Sequence, residues 1–183
     1  MAMDWHPIFQ SNITEYAGED NWQLLFDDSI EENQQGAGWE QYIRRTCARF
    51  GCSLCRRIWP SNIVMVIFHM HLDNYTHQGT VKARVYRQKC KRCTEAQMEQ
   101  PRNMEAHHID ALMENLVKNI RKKCYNEVFE EVYRDPAGVD VENPHEPQHC
   151  EGCIAGVCRQ VAPQHPGGRG FRGMPRGRGN RRL

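Results

Sequence analysis

The chain has 183 residues, enough for one ordinary domain with tails, and nine of them are cysteines. Its net charge of +1 averages segregated blocks: nine acids and no Lys or Arg in 1–40, sixteen bases against nine acids in 41–132, five acids against one base in 133–158, and seven arginines without an acid in 159–183. Such asymmetry implies separate working surfaces and a polyanion- or membrane-facing region. MAMDWHPIFQ lacks the basic and apolar regions of a secretory signal, and the longest apolar run, NIVMVIFHMHL, is far below the ~20 residues of a membrane helix. The expected location is the reducing cytosol, where cysteine pairs more often hold metal than form disulfides.

Residues 3–45 read as helical with breaks. Trp5, Phe9 and Ile13 fall at i, i+4 and i+8. In NWQLLFDDSI, Trp22, Leu25 and Phe26 share a side. After the Gly-Ala-Gly break at 36–38, WEQYIRRTCARF puts Trp39, Tyr42 and Ile43 on one face. These stripes are core-covering faces. Residues 62–71 and 80–89 read as two strands joined by the turn-rich DNYTHQG, an antiparallel hairpin. The first strand is apolar on both faces, as a central strand is. In the second, Val81, Ala83 and Val85 alternate with Lys82 and Arg84, giving one buried and one basic face. Asn103 serves as N-cap, with Glu105 in the first turn, of a helix marked by Ile109, Leu112, Met113, Leu116, Val117 and Ile120. It runs to about residue 132 and is ended by DPAGVD at 135–140. The Pro-, Gly- and Arg-rich segment 159–183 has almost nothing to bury and reads as a disordered tail. The predicted fold is α+β: an acidic helical segment (1–45) packs on a zinc-stapled domain (46–158) with an antiparallel hairpin or small sheet and one long helix.

Three pairs share one spacing: Cys52/Cys55, Cys90/Cys93 and Cys150/Cys153. Two intervening residues let one tight turn aim two thiolates at one ion, the arrangement of a zinc knuckle. The first two pairs sit at the outer ends of the predicted hairpin, which are neighbours in an antiparallel pair. Four thiolates can therefore close around one Zn²⁺. His145 and Cys158 complete a second set with Cys150 and Cys153, although an interleaved pairing with an earlier knuckle satisfies the same spacing. The expected cofactors are thus two structural Zn²⁺ ions. His149 is an alternative to His145 as a ligand. Cys124 reads as a buried core thiol with a ligand role as the alternative. Cys47, on a helix-like stretch, reads as an unpaired thiol, and His69 and His71 as sheet residues rather than ligands. Thiolate-rich sets make closed, non-catalytic sites. With no HExxH, deaminase or phosphate-loop pattern, no enzyme activity is expected.

The run CSLCRRIWPSNIVMVIFHMHL, then GTVKARVYRQKCKRCTEAQMEQP, LVKNIRKKCY and PHEPQHCEGCIAGVC resembles the receptor-transporting proteins, which carry a three-CxxC zinc finger. The N-terminal W-x3-F and GWEQYIRRTCARF look like theirs too, so the likeness covers roughly residues 3–158. It implies an accessory chaperone that helps G-protein-coupled receptors, olfactory or taste receptors among them, reach the cell surface by engaging their cytosolic segments. It supports the three pairs, His145 and Cys158 as zinc ligands, and keeps a ligand role open for Cys124. Some relatives are interferon-induced and linked to antiviral action, and the more distant zygote-arrest proteins share the finger and bind RNA. Several members end in a transmembrane helix where this chain has an arginine–glycine tail. The expected association is therefore peripheral, at the endoplasmic reticulum or plasma membrane, through receptors or anionic lipid. The alternative reading is a zinc-dependent RNA-binding protein. Arginines and Phe171 of GRGFRGMPRGRGNRR would contact phosphates and stack on bases, extended by Lys82, Arg84, Arg87, Lys89, Lys91 and Arg92.

Overall fold

The structure, a computed structural model, describes residues 5–130, 132–141 and 144–159. The Arg/Gly tail lies outside the described residues from 160 onward. Helix α1 (His6–Ile13) forms as its apolar spacing predicts, and Trp5, Phe9 and Ile13 are all buried. The next two segments differ from the helical reading of 1–45. Asn21–Phe26 is strand β1 and Glu40–Gly51 is strand β2. In β1 the buried residues are Trp22 and Leu24, two apart, whereas Leu25 and Phe26 are 43% and 49% exposed. The spacing that mimicked a helix thus included two residues the sheet leaves outside.

The predicted hairpin is present and longer than read: β3 (Ile58–Asp73) pairs antiparallel with β4 (Gln78–Val85). Asp73 Oδ1 accepts the N–H of Tyr75 at 2.9 Å and orders the connecting turn. The four strands form one sheet in the order β1-β4-β3-β2, with β1 parallel to β4 and β2 antiparallel to β3. Strand β3 is central and both of its faces are covered. Val64, Val66, Phe68 and Met70 face the main core with α1 and α2 (Ala106–Cys124). Met65 and Ile67 face a smaller cluster with Ile30, Tyr86 and Val157. Full burial of a side chain such as Phe68 stabilises by about 1.5–3 kcal/mol.

Helix α2 buries the predicted stripe, including Leu112, Met113, Leu116 and Ile120. Its N-cap is Glu105, in extended conformation, and not Asn103, which is held in a backbone bridge to Arg49. The helix stops at Cys124, before the predicted end near 132, because Asn126 enters the left-handed region (φ 55°) and the chain turns back. The returning segment has no regular structure, so side chains satisfy its backbone. Asn115 Nδ2 donates to the carbonyl of Arg134 at 2.6 Å and its Oδ1 accepts the N–H of Arg134 at 3.0 Å. Asn62 makes the same two-way clasp on Val139, at 2.8 Å in both directions. These clasps lead the chain across the molecule toward His145.

Candidate metal centres

Beyond β2 the chain makes a tight turn. Cys52 N–H donates to the carbonyl of Arg57 at 2.9 Å, and the N–H of Cys55 points at Cys52 Sγ at 3.5 Å. Arg56 takes the left-handed conformation (φ 62°) that the turn needs. Glu99 braces the turn from outside, accepting both the N–H (2.7 Å) and the hydroxyl (2.6 Å) of Ser53. Glu99 belongs to β6 (Met98–Glu99), which pairs with β5 (Gln88–Lys89) in a two-stranded ribbon. Cys90 and Cys93 lie in the turn between these strands, and the N–H of Arg92 points at Cys90 Sγ at 3.4 Å. The predicted second strand is therefore two pieces, β4 and β5.

The donor atoms of Cys52, Cys55, Cys90 and Cys93 all lie within 4.8 Å of one another. The sulfurs of Cys52 and Cys93, and of Cys55 and Cys90, are 3.8 Å apart. Bonds of ~2.3 Å in a tetrahedron put sulfurs at about that separation, so the set fits one Zn²⁺. Burial opposes ionisation of Cys90, yet the N–H of Arg92 and the neighbouring thiols lower its pKa to about 7. Cys93, against Cys55 and Cys52, is pushed up to about 12. Crowded thiols cannot all ionise unless a cation compensates them.

His145, Cys150, Cys153 and Cys158 form a second group, also with all donor atoms within 4.8 Å. Cys150 and Cys158 sulfurs are 3.8 Å apart, and His145 Nε2 is 3.1 Å from Cys153 Sγ. Contact with Cys158, working against burial and aided by His145, lowers the Cys150 pKa to about 4. Cys158 is raised by contact with Cys150 and by burial. Helix α3 (Glu151–Ile154) contains Cys153 and has Cys150 as its N-cap, and Gly152 keeps the unit compact: a Cβ there would lie 3.0 Å from Cys158 Sγ and 3.2 Å from Met65. Glu151 clamps this unit to the sheet. Its carboxylate accepts from Arg84 Nη2 at 2.8 Å and from the N–H of Arg87 at 2.7 Å.

The two sets are separate and not interleaved, and together they fit two structural Zn²⁺ ions. His145 stands in the second group, whereas His149 Nε2 lies 3.5 Å from a Glu146 oxygen. Cys124 packs against the main core and joins neither group; burial raises its pKa to about 11. Cys47 is a buried thiol on β2 rather than on a helix. His69 is 4% exposed beside Gln41, and His71 stacks on Trp39. The bracing acids Glu99 and Glu151 and the clasping asparagines carry no spacing signal, so sequence reasoning did not find them.

Between the two centres runs a groove of about 770 Å³, lined among others by Arg57, Trp59, Lys89, Arg92, Pro144 and His145. The Arg57 guanidinium lies 5.8 Å from the centre of the Trp59 ring. The basic face of β4 and the residues just after it are largely neutralised: Lys82 pairs with Asp27 at 3.0 Å, Arg84 with Glu151, and Arg87 with Asp28. Among the described residues no ion pair engages Arg57, Lys89 or Arg92, which line the groove together with the acidic Asp140 and Glu146. No helix of the described residues is long and apolar enough to cross a membrane.

The model of a family described as a zinc-binding domain, a three-CxxC zinc ribbon, matches residues 45–156. Receptor-transporting protein 3 of Mus musculus is 35% identical over 85% of the chain and 33% of its own length. Receptor-transporting protein 2 of Mus musculus is 31% identical over 84% of the chain and 69% of its own length. For receptor-transporting protein 1 of Homo sapiens the figures are 31%, 84% and 59%. The chain thus spans from a third to about two thirds of these relatives. No solved structure matches it. With the family model covering residues 45–156, all three CxxC pairs included, the chain belongs to the receptor-transporting protein family and carries its zinc-binding domain.

Proposed function

We propose that this chain is a zinc-stapled accessory chaperone that promotes the surface expression of G-protein-coupled receptors, chemosensory receptors among them. The observation that carries this reading is the relationship to proteins named for receptor transport, at 30–35% identity over most of the chain. The groove between the zinc centres is the natural seat for a cytosolic receptor segment, with Trp59 and Ile58 offering apolar contact and Arg57, Lys89 and Arg92 offering charge. In this reading zinc supplies rigidity and no chemistry, and the chain meets the membrane peripherally, through the receptor. The test is surface display of a receptor panel in cells with the full chain or its Cys150→Ser, Cys153→Ser variant. A several-fold gain that needs the intact knuckle is expected. No gain for any receptor from the well-expressed chain overturns the proposal.

A second reading, single-stranded RNA binding, is favoured by the same groove: an aromatic ring beside Arg57, Lys89 and Arg92 suits a stacked base and its phosphates. If it holds, filter binding of single-stranded RNA falls steeply with salt. Removing residues 159–183 should weaken it further, with receptor display left largely intact. Absence of binding at low salt ends this reading.

A further inference from the structure

The start of α2 carries a third group of donors. Glu105, His107 and His108 each place one donor atom within 4.8 Å of the others. His108 is 1% exposed, and its Nε2 lies 2.7 Å from the carbonyl oxygen of Ala137. A carbonyl only accepts, so Nε2 carries the proton and the lone pair of the neutral ring is on Nδ1. Nδ1 is buried and has no hydrogen-bond partner among the described residues. An unmade buried polar contact is costly, so this atom calls for an occupant.

The ring is also fixed from behind. The Ala137 carbonyl receives the Cys47 thiol at 3.7 Å as well, and its segment is clasped at Val139 by Asn62. An imidazole whose N–H is held by a backbone carbonyl, with the other nitrogen left bare, has the posture of a metal-ligating histidine. The neighbouring groups complete the set. The His107 ring centre is 3.9 Å from that of His108, tilted by 50°, and His107 Nδ1 is 3.5 Å from Glu105 Oε2. Their side chains are 48% and 45% exposed, so an ion can enter from solvent.

We propose that Glu105, His107 and His108 form a third, exchangeable site for a divalent cation, zinc or another ion of similar softness. Two imidazoles and one carboxylate suit such ions better than calcium or magnesium. The Glu105 charge offsets the helix dipole, which disfavours a bare cation at a helix N-terminus. Three protein donors leave a coordination position to water, in contrast to the closed thiolate centres.

The test is calorimetric titration of Zn²⁺ into the full chain already holding two zinc ions. The chain is expected to take a third equivalent more weakly than the first two. His107→Gln and Glu105→Gln, at half-exposed positions, are expected to lower that third affinity on the order of tenfold or more. Their melting temperatures without added zinc should match the parent chain, which separates ligand loss from unfolding. Absence of a third equivalent, which leaves His108 Nδ1 to water, overturns the proposal, and so do variants that bind it as well as the parent.

Discussion

Stripping zinc with a chelator, or replacing one thiolate by Cys90→Ser, is expected to abolish the cooperative fold. The first centre joins the turn between β2 and β3 to the turn between β5 and β6, so four thiolates from two separate turns depend on one ion. Structural zinc contributes on the order of 10 kcal/mol, while a whole domain is stable by about 5–15 kcal/mol. Loss of the ion therefore removes as much as the fold has to lose. The thiols add to the effect. With Cys90 lowered to about 7 and Cys93 raised to about 12, the metal-free set holds protons at neutral pH that zinc must displace. Binding thus releases protons, and zinc affinity falls as pH is lowered. Circular dichroism and thermal melting of Cys90→Ser, and of the parent chain with chelator at several pH values, test this. A native spectrum with an unchanged melting temperature would contradict it. The Cys150→Ser, Cys153→Ser variant is expected to lose less, because its ligands fall within residues 145–158 and the unit covers one face of the sheet, over β3 and β4, through Val157 and Glu151.

The metal centres were legible because their signal is local. Two thiols at fixed spacing need only a tight turn, and the hairpin carrying the first two pairs announced itself through the two-sided apolar run of β3 and the alternation of β4. Strands β1 and β2 were not legible, for reasons that lie outside their own sequences. Strand β1 pairs parallel with β4, more than fifty residues away, and this pairing selects Trp22 and Leu24 for burial over the helical set. In β2, Thr46, Cys47 and Ala48 are buried in succession, because the register with β3 shifts between Thr46 and Ala48. That irregularity erases the alternation by which a strand is read. The clasps of Asn62 and Asn115, and the donors at the start of α2, depend on where an irregular segment returns, which no periodicity encodes. The basic face of β4 and the residues just after it show the opposite error: their charges were visible, but the acidic partners, Asp27, Asp28 and Glu151, come from distant segments.

Gly79→Ala is expected to cost about 3 kcal/mol or more, although it adds one methyl group. Gly79 stands directly opposite Trp22 in the β1–β4 pair, and the indole lies flat across its Cα. A Cβ at residue 79 would fall 2.1 Å from Cδ2 of that ring, a distance no small adjustment relieves. Trp22 cannot move cheaply. It is 2% exposed, and its Nε1 donates to the Tyr125 hydroxyl at 2.9 Å, which in turn donates to Asp20 at 2.8 Å. Displacing the ring also disturbs α1, since Gln10 Nε2 donates to the Trp22 carbonyl at 2.7 Å. Overpacking alone costs about 1–3 kcal/mol, and losing the packing of a large aromatic about 3–5 kcal/mol. For a chain of this size, 3 kcal/mol lowers the melting temperature by roughly 6–12 °C. Zinc content should stay at two ions per chain, because β1 contributes no ligand and the knuckles hang from the opposite end of the β3–β4 hairpin. Thermal melting at saturating zinc, with metal analysis of the same sample, separates the two effects. An unchanged melting temperature would mean that Trp22 can leave its seat without loss, and that β1 and α1 are held by something other than this contact.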